Sequence, residues 1–482
     1  MASRLTRHLI WTHPDAPEAR APDGEPKTMF RAVMPGGPAQ MAFRAFTASE
    51  LRGETSSETL SVNLPSVARD RAIYFLHIGA EVEHALMVQY LYAGYSLDAS
   101  QVQDPKHRAL VQQWRETILL IAREEMGHLA AVENILTLIG GPLSFDRQEF
   151  PVENELYPFP FDLEPLTRRS LGKYVLAESP NDEALAAMGL TEEIEEIKEY
   201  VKAGGTSVNR VGVIYDAVMA LFKAPDEPKY PGKRPFFIQS GDIQADSEGF
   251  QVGPGEWGLG YKDLLICTAN DRTSALAALE AVAEQGEGEK VEDFASSHFG
   301  RFLTIYRAFP KDGEWTPARN VACNPTLDRH APPERQITHP TARLWAGLLN
   351  VRYRMLLAYL AHSFQVEEPV KQWTRTSRGL LVSWAFGEMY NVRSISEILM
   401  RLPMHPGGDV YAGPPFEMPY TLALPTRHAD RWRTHRDLFL MSRNYINLLL
   451  ADPEAQPYRA YLEGLRTAGE AGVEQAITLI GG

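Results

Sequence analysis

Cysteine is almost missing from this chain: Cys267 and Cys323 stand alone among 482 residues. That excludes a disulfide framework and a cysteine-built zinc site, so any metal must be held by nitrogen and oxygen ligands, a set that favours iron or manganese. Positive charge is short as well, with 48 Lys and Arg against 62 Asp and Glu and a net charge of -14. No basic footprint for nucleic-acid phosphates results, and nucleic acid is not an expected partner. Long apolar runs are lacking too. No stretch reaches the roughly 18 apolar residues of a membrane span. The segment MASRLTRHLIWTHPDAPEARAPDG has no apolar core of signal-peptide length. A cytoplasmic, soluble protein without a membrane partner is expected. The glycines of PGGP and GGT lack the strand-and-lysine context of a phosphate loop, and no G-x-S-x-G nucleophile elbow occurs.

What is present suffices for a large core. Hydrophobic residues at 44% and charged residues at 23% argue against wholesale disorder. The length allows two to four domains, or one bundle with large insertions. Residues 1–65 are rich in Pro, Gly, Thr and Ser with short β-like patches, TMFRAVM and AQMAFRAF, and read as an irregular arm or small β layer. From Ser66 the period becomes helical, with Ala72, Phe75, Leu76, Gly79, Val82, Leu86 and Tyr90 on one track. Asp104-Pro105 is a helix start, and Gly140-Gly141-Pro142 is a stop, so a second helix is expected over 105–139. The two should form an antiparallel hairpin.

A long Pro- and aromatic-rich crossover, LYPFPFDLEPL, follows. Helical patterns resume at 171–178, 192–202 and 208–222, then after a Gly/Pro/Asp-rich insertion at 224–262 at 274–285 and 292–309. Beyond residue 340, helices are expected at 343–364, 374–402 and 431–450. The chain thus divides into an arm (1–65), a bundle (66–325) with its insertion, and a carboxy-terminal helical domain (340–482) packed on the bundle. A long crossover between two helix pairs is the connectivity of a ferritin-like four-helix bundle, and the fold class is mainly α.

Chemistry concentrates in the second helix, where Glu125 and His128 form a Glu-x-x-His pair. At i and i+3 the two side chains leave one face about a turn apart and can converge on one cation. Alone the pattern is as readily a solvated surface pair, but it lies inside the apolar run ETILLIAREEMGHLAAVENILTLIGG, where charges need partners or a metal. The first helix offers Glu83 and Tyr90 on one stripe with Met87 between them. Glu81 and His84 form an overlapping Glu-x-x-His that cannot point inward at the same time. Glu83 is expected inward, Glu81 toward solvent or a neighbour, and His84 as a structural histidine beside the site. Tyr90 is the expected catalytic side chain.

The collinear segments EVEHALMVQYL, REEMGHLAAVENILTLIGG, VLAESPND, LEAVAEQGEG, SSHFGRF and AGPPFE together resemble the ferritin-like domain of the iminophenyl-pyruvate dimer synthase family over about residues 66–420. The resemblance implies a non-heme iron centre of one or two ions, with Glu83, Glu125 and His128 as ligands and the Glu-x6-Tyr spacing of ferritin-like first helices. It also implies Glu178, in AESP, Glu287, in EQGEG, and His298, in SSHF, as further ligands. A second Glu-x-x-His would require Glu at 295, where this chain has Ala295. The site is therefore mononuclear, asymmetric, or completed by Glu287 or Glu284.

Three functions follow from this reading. The first is an O2-using iron oxidase or oxygenase acting on an amino-acid-derived or aromatic small molecule in specialised biosynthesis. The second is iron-assisted coupling of imine intermediates, as the family resemblance implies. The third is a non-enzymatic iron-binding or structural module. A homo-oligomer is compatible with each.

Overall fold

The computed structural model describes residue 65 and residues 67–481, apart from 155, 224–236, 245–246, 258–263, 289–291, 367–376 and 420. The expected amino-terminal arm and much of the 224–262 insertion lie outside the described residues. Two long helices come first, α1 (Ala68–Ser96) and α2 (Pro105–Leu138). Asp104 caps α2 through its carboxylate, which accepts from the N–H groups of Lys106 and His107 at 2.7 and 3.1 Å, with Pro105 in the first turn. Gly140, at φ 66, ends it in the left-handed conformation. The helices pack as the expected hairpin. Helix α1 is buried on every face, including Ala72, Phe75, Leu76, Val82, Leu86 and Tyr90, because it has neighbours on all sides.

The other half of the bundle is built from interrupted helices. Helix α3 (Arg168–Ala177) opens on a Thr167/Ser170 capping box and stops at Glu178. The chain then leaves to form α4 (Asp182–Ala187) and α5 (Thr191–Lys202) and returns as α6 (Gly212–Phe222). The Val211 N–H donates to the Ala177 carbonyl at 2.9 Å, which ties the return to the point of departure. For that reason α6 starts at Gly212 and not at 208, as periodicity suggested.

After the short α7 (Pro254–Trp257), the same design recurs: α8 (Arg272–Glu287) ends at Gly288, with φ 59, and α9 (His298–Ala308) starts afresh from a Ser297 cap. Residues 292–297 are turn, so the helix expected over 292–309 is shorter at its start. Helix α8 packs on α6, α9 packs on α3, and both touch α2, while α1 packs on α6. Four columns result: α1, α2, α3 with α6, and α8 with α9. The connection between α2 and α3 is the long crossover, coil with a single bridge between Val152 and Phe161. This is a ferritin-like bundle, and no β-strand occurs among the described residues.

A second helical layer follows, with α10 (Pro340–Ser363), α11 (Ser377–Leu399), α12 (His428–Ala451) and α13 (Arg459–Ile480). Helices α10 and α11 pair, α12 and α13 pair, α10 joins the pairs, and α11 touches α1. The segment AGPPFE stitches the layers together. Arg147, in the crossover, donates to the Phe416 carbonyl, and Glu417 accepts from Asn350 of α10 at 2.6 Å.

Candidate metal centre

Both interruptions fall at one level of the bundle, and that level is where charge is buried. Glu178 sits at the end of α3, Glu287 at the end of α8 and His298 at the start of α9, opposite Glu83 on α1 and Glu125 and His128 on α2. A helix end can place a side chain on the bundle axis that a continuous helix would hold to one side. Glycine permits the approach: a Cβ on Gly212 would lie 1.7 Å from Glu287 Oε1, and one on Gly286 would lie 3.3 Å from Glu178 Oε2.

Glu125 is the hub. Its Oε2 lies 2.9 Å from His128 Nδ1, and its Oε1 lies 3.0 Å from His298 Nδ1. Glu83 Oε2 stands 3.4 Å from His128 Nδ1, and Glu178 Oε2 stands 3.7 Å from His298 Nδ1. The two imidazoles are stacked, with centroids 5.1 Å apart. All five residues are at most 4% exposed. On their far sides the histidines are held in register: His128 Nε2 pairs with Gln285 Oε1 at 2.9 Å, and His298 Nε2 faces Glu124 Oε2 at 3.3 Å. That leaves Nδ1 of each ring turned toward the carboxylates.

Two tyrosines complete the inner wall. Tyr90 donates to Glu178 Oε1 at 2.5 Å, and Tyr215, from α6, donates to Glu83 Oε1. Burial pushes both phenols well above their ordinary pKa, reinforced by the Glu178 charge at Tyr90 and the Glu83 charge at Tyr215, so both remain neutral donors.

The electrostatics show what the site is short of. Burial and the charge of Glu125 push the Glu83 carboxyl up to about 8. Burial works against ionisation of Glu125 too, but the imidazoliums of His298 and His128 hold it well below the carboxylate range. Burial likewise opposes charge on His128, yet Glu125 and Glu83 carry it up to about 10. His298 is raised well above its ordinary value against burial, chiefly by Glu125. The carboxylates thus hold protons on two buried imidazoles as local countercharge. Even so, Glu125 Oε1 and both ring nitrogens of His298 make no well-formed hydrogen bond. Such orphaned buried atoms cost about 1–3 kcal/mol each. One divalent cation on the carboxylate side would replace the two Nδ1 protons and satisfy Glu125 Oε1 and His298 Nδ1 at once, and Glu125, His128 and His298 bring one ligand atom each to within 4.8 Å of the others. The residues present fit a metal ion.

The other expected residues fall as follows. Glu287 lines the same cavity as Glu83, Glu125, His128 and Glu178, but its two carboxylate oxygens accept from Arg210 Nη2 at 2.8 and 2.9 Å. Glu81 is buried and accepts from the Gln148 N–H at 2.8 Å, which turns it to a neighbour and not to solvent. His84 bonds to the Tyr353 hydroxyl, outside the centre. Ala295 lies in the turn before α9, so a Glu-x-x-His there would have no helix to stand on. The sequence reading missed Glu124, Gln285, Tyr215 and Arg210. The Glu124-Glu125 doublet was a usable signal for the first; nothing local marks the others.

A buried carboxylate and histidine cluster within four helical columns defines a class, the ferritin-like proteins. Residues 76–307 match the ferritin-like family model, and the chain carries a ferritin-like domain. It is similar to dichlorochromopyrrolate synthase of Lentzea aerocolonigenes, 26% identical over 399 residues that take in 73% of this chain and 36% of that enzyme. It is also similar to 2-imino-3-(indol-3-yl)propanoate dimerase of Chromobacterium violaceum, 26% identical over 431 residues, 82% of this chain and 36% of that enzyme. Both agree with the resemblance to iminophenyl-pyruvate dimer synthases. The chain spans 36% of the length of each of these curated relatives. A ferritin-like protein from Caulobacter vibrioides superposes with a TM-score of 0.41 at 16% identity, over 69% of this chain and 97% of that one. No helix among the described residues is long and apolar enough to cross a membrane.

Proposed function

We propose that this protein is a non-heme iron oxidase or oxygenase that acts with O2 on an amino-acid-derived or aromatic small molecule. The observation that carries the reading is the placement of Glu125 between His128 and His298, with Glu83 and Glu178 flanking and all five buried. Glu83, Glu125, His128, Glu178 and His298 would hold one or two iron ions. Bound iron supplies one-electron redox chemistry with O2. The protein's part is to exclude water from the centre, to fix the ligand nitrogens through Gln285 and Glu124, and to keep a phenol proton on Tyr90 and on Tyr215 beside the ligand carboxylates. In this reading Glu287 belongs to the wall of the cavity, held by Arg210.

The similarity to an imine dimerase supports a narrower form of the same reading, coupling of two imine molecules. The two are separated by product mass. Protein reconstituted with Fe(II) is mixed with imines generated from aromatic amino acids by an amino-acid oxidase plus catalase, and O2 uptake and products are followed. Iron-dependent turnover that falls at least about tenfold in Glu125→Gln is expected. Iron-loaded protein that consumes no O2 beyond the oxidase control and yields no new product with any aromatic imine would overturn the proposal.

A further inference from the structure

A sizeable cleft lies outside the metal centre. It has a volume of about 570 Å³ and is framed by the α1–α2 connection, the solvent side of α2 and the end of α11. Its size is that of a small-molecule site, not of a protein interface. Five guanidiniums line it: Arg115, Arg123, Arg319, Arg393 and Arg401. Three carboxylates, Asp98, Glu116 and Glu397, share the walls. In a chain with a net charge of -14, a local excess of cations is the reverse of the background, and a concave wall focuses its field.

Asp98 and Glu397 are engaged by the arginines, while Glu116 is exposed and pairs with none of them among the described residues, so the five guanidiniums keep a net positive excess in the cleft. Asp98 Oδ2 takes both Nε and Nη2 of Arg319 at 2.9 Å, while its Oδ1 accepts from Ser100 N and Oγ at 3.0 and 2.7 Å. A single oxygen of Glu397, Oε1, serves two guanidiniums, Nη2 of Arg115 and, at 3.1 Å, Nε of Arg393. The Arg401 side chain is exposed and makes no hydrogen bond or ion pair among the described residues. Donor capacity therefore remains on Arg115, Arg393 and Arg401, all facing one cleft, with Leu119 and Leu120 beside them as an apolar surface.

We infer that this cleft binds a small molecule carrying two or more closely spaced negative charges, a dicarboxylate or a phosphate ester. Guanidiniums match both groups through paired N–H donors, and several on one wall select for more than one charge. The inference does not depend on the iron reading, since none of these residues belongs to the metal centre.

The test is calorimetric titration of the full chain at fixed ionic strength with succinate and, separately, with inorganic pyrophosphate, using chloride as the control. The comparison is the double variant Arg393→Gln/Arg401→Gln, both positions being exposed. Saturable binding of either probe that weakens at least tenfold in the double variant, with unchanged thermal midpoint and iron content, supports the site. Binding of succinate alone identifies the carboxylate form, and of pyrophosphate alone the phosphate form. If neither probe saturates on the wild-type protein, or if the double variant binds as tightly as wild type, the inference is wrong.

Discussion

Glu125 Oε1 lies 3.0 Å from Nδ1 of His298, and neither atom makes a well-formed hydrogen bond although both are buried. This contact joins α2 to the restarted α9. Protein reconstituted with Fe(II) should hold iron, and replacing Glu125 by Gln or His298 by Ala should remove most of it, because the first change takes the anionic charge from the hub and the second deletes a donor nitrogen. Glu81→Gln should leave iron near the wild-type level, since Glu81 points about 200° away from Glu83 on the helix and holds the crossover instead. Elemental analysis of the three variants decides the matter; equal loss in all of them would mean that the hub is misassigned.

Glu287 separates a ligand from a wall residue. Its pairing with Arg210 implies that Glu287→Gln keeps iron within about twofold of wild type yet lowers stability by about 1–3 kcal/mol, because a largely buried guanidinium loses its partner. Arg210→Gln should resemble it in denaturant melts. Iron lost from Glu287→Gln at unchanged stability would instead make Glu287 a ligand.

Gly127, between Met126 and His128, touches the segment that follows the insertion, at Leu264 and Leu265. A Cβ there would lie 2.6 Å from the Leu265 carbonyl oxygen, so Gly127→Ala must push that segment off α2 at a cost of about 1–3 kcal/mol. Iron occupancy should fall with it although no ligand is altered. The control is Gly387→Ala in α11, where nothing lies within 4 Å. There the substitution should stabilise by about 0.5–1 kcal/mol through helix propensity. Urea midpoints and iron analysis of the pair give the answer.

Glu133 supplies a pH dependence away from the ligands. Burial pushes its carboxyl up to about 8, and the Ser144 N–H, donating to both oxygens at 3.1 and 3.0 Å, offsets only part of that. The folded pKa lies above the unfolded value of 4.5. Its contribution to stability is therefore complete below that value and lost as pH rises toward 8. The thermal midpoint of Glu133→Gln minus that of wild type should accordingly grow between pH 5.5 and pH 8. A difference that stays flat across this range would show that Glu133 ionises freely in the folded protein.

The sequence by itself determined the parts whose physics is local. Asp104-Pro105 and Gly140-Gly141 bound α2 because a cap and a left-handed residue act within one turn. The i, i+3 spacing of Glu125 and His128 fixes their common face for the same reason. The collinear segments pointed to Glu178 and His298, but only the tertiary structure decided how they reach the centre. They do so because α3 and α8 are broken at the same level, which depends on the Val211–Ala177 hydrogen bond and the Ser297 cap between segments that periodicity cannot relate. The hold of Arg210 on Glu287, the Tyr215 bond to Glu83 and the Gln285 bond to His128 are equally nonlocal. Helix α13, unforeseen in a glycine-containing stretch, forms because Gly472 lets the Phe439 ring of α12 approach, where a Cβ would stand 2.3 Å from it. Packing against a partner, and not propensity, makes that helix.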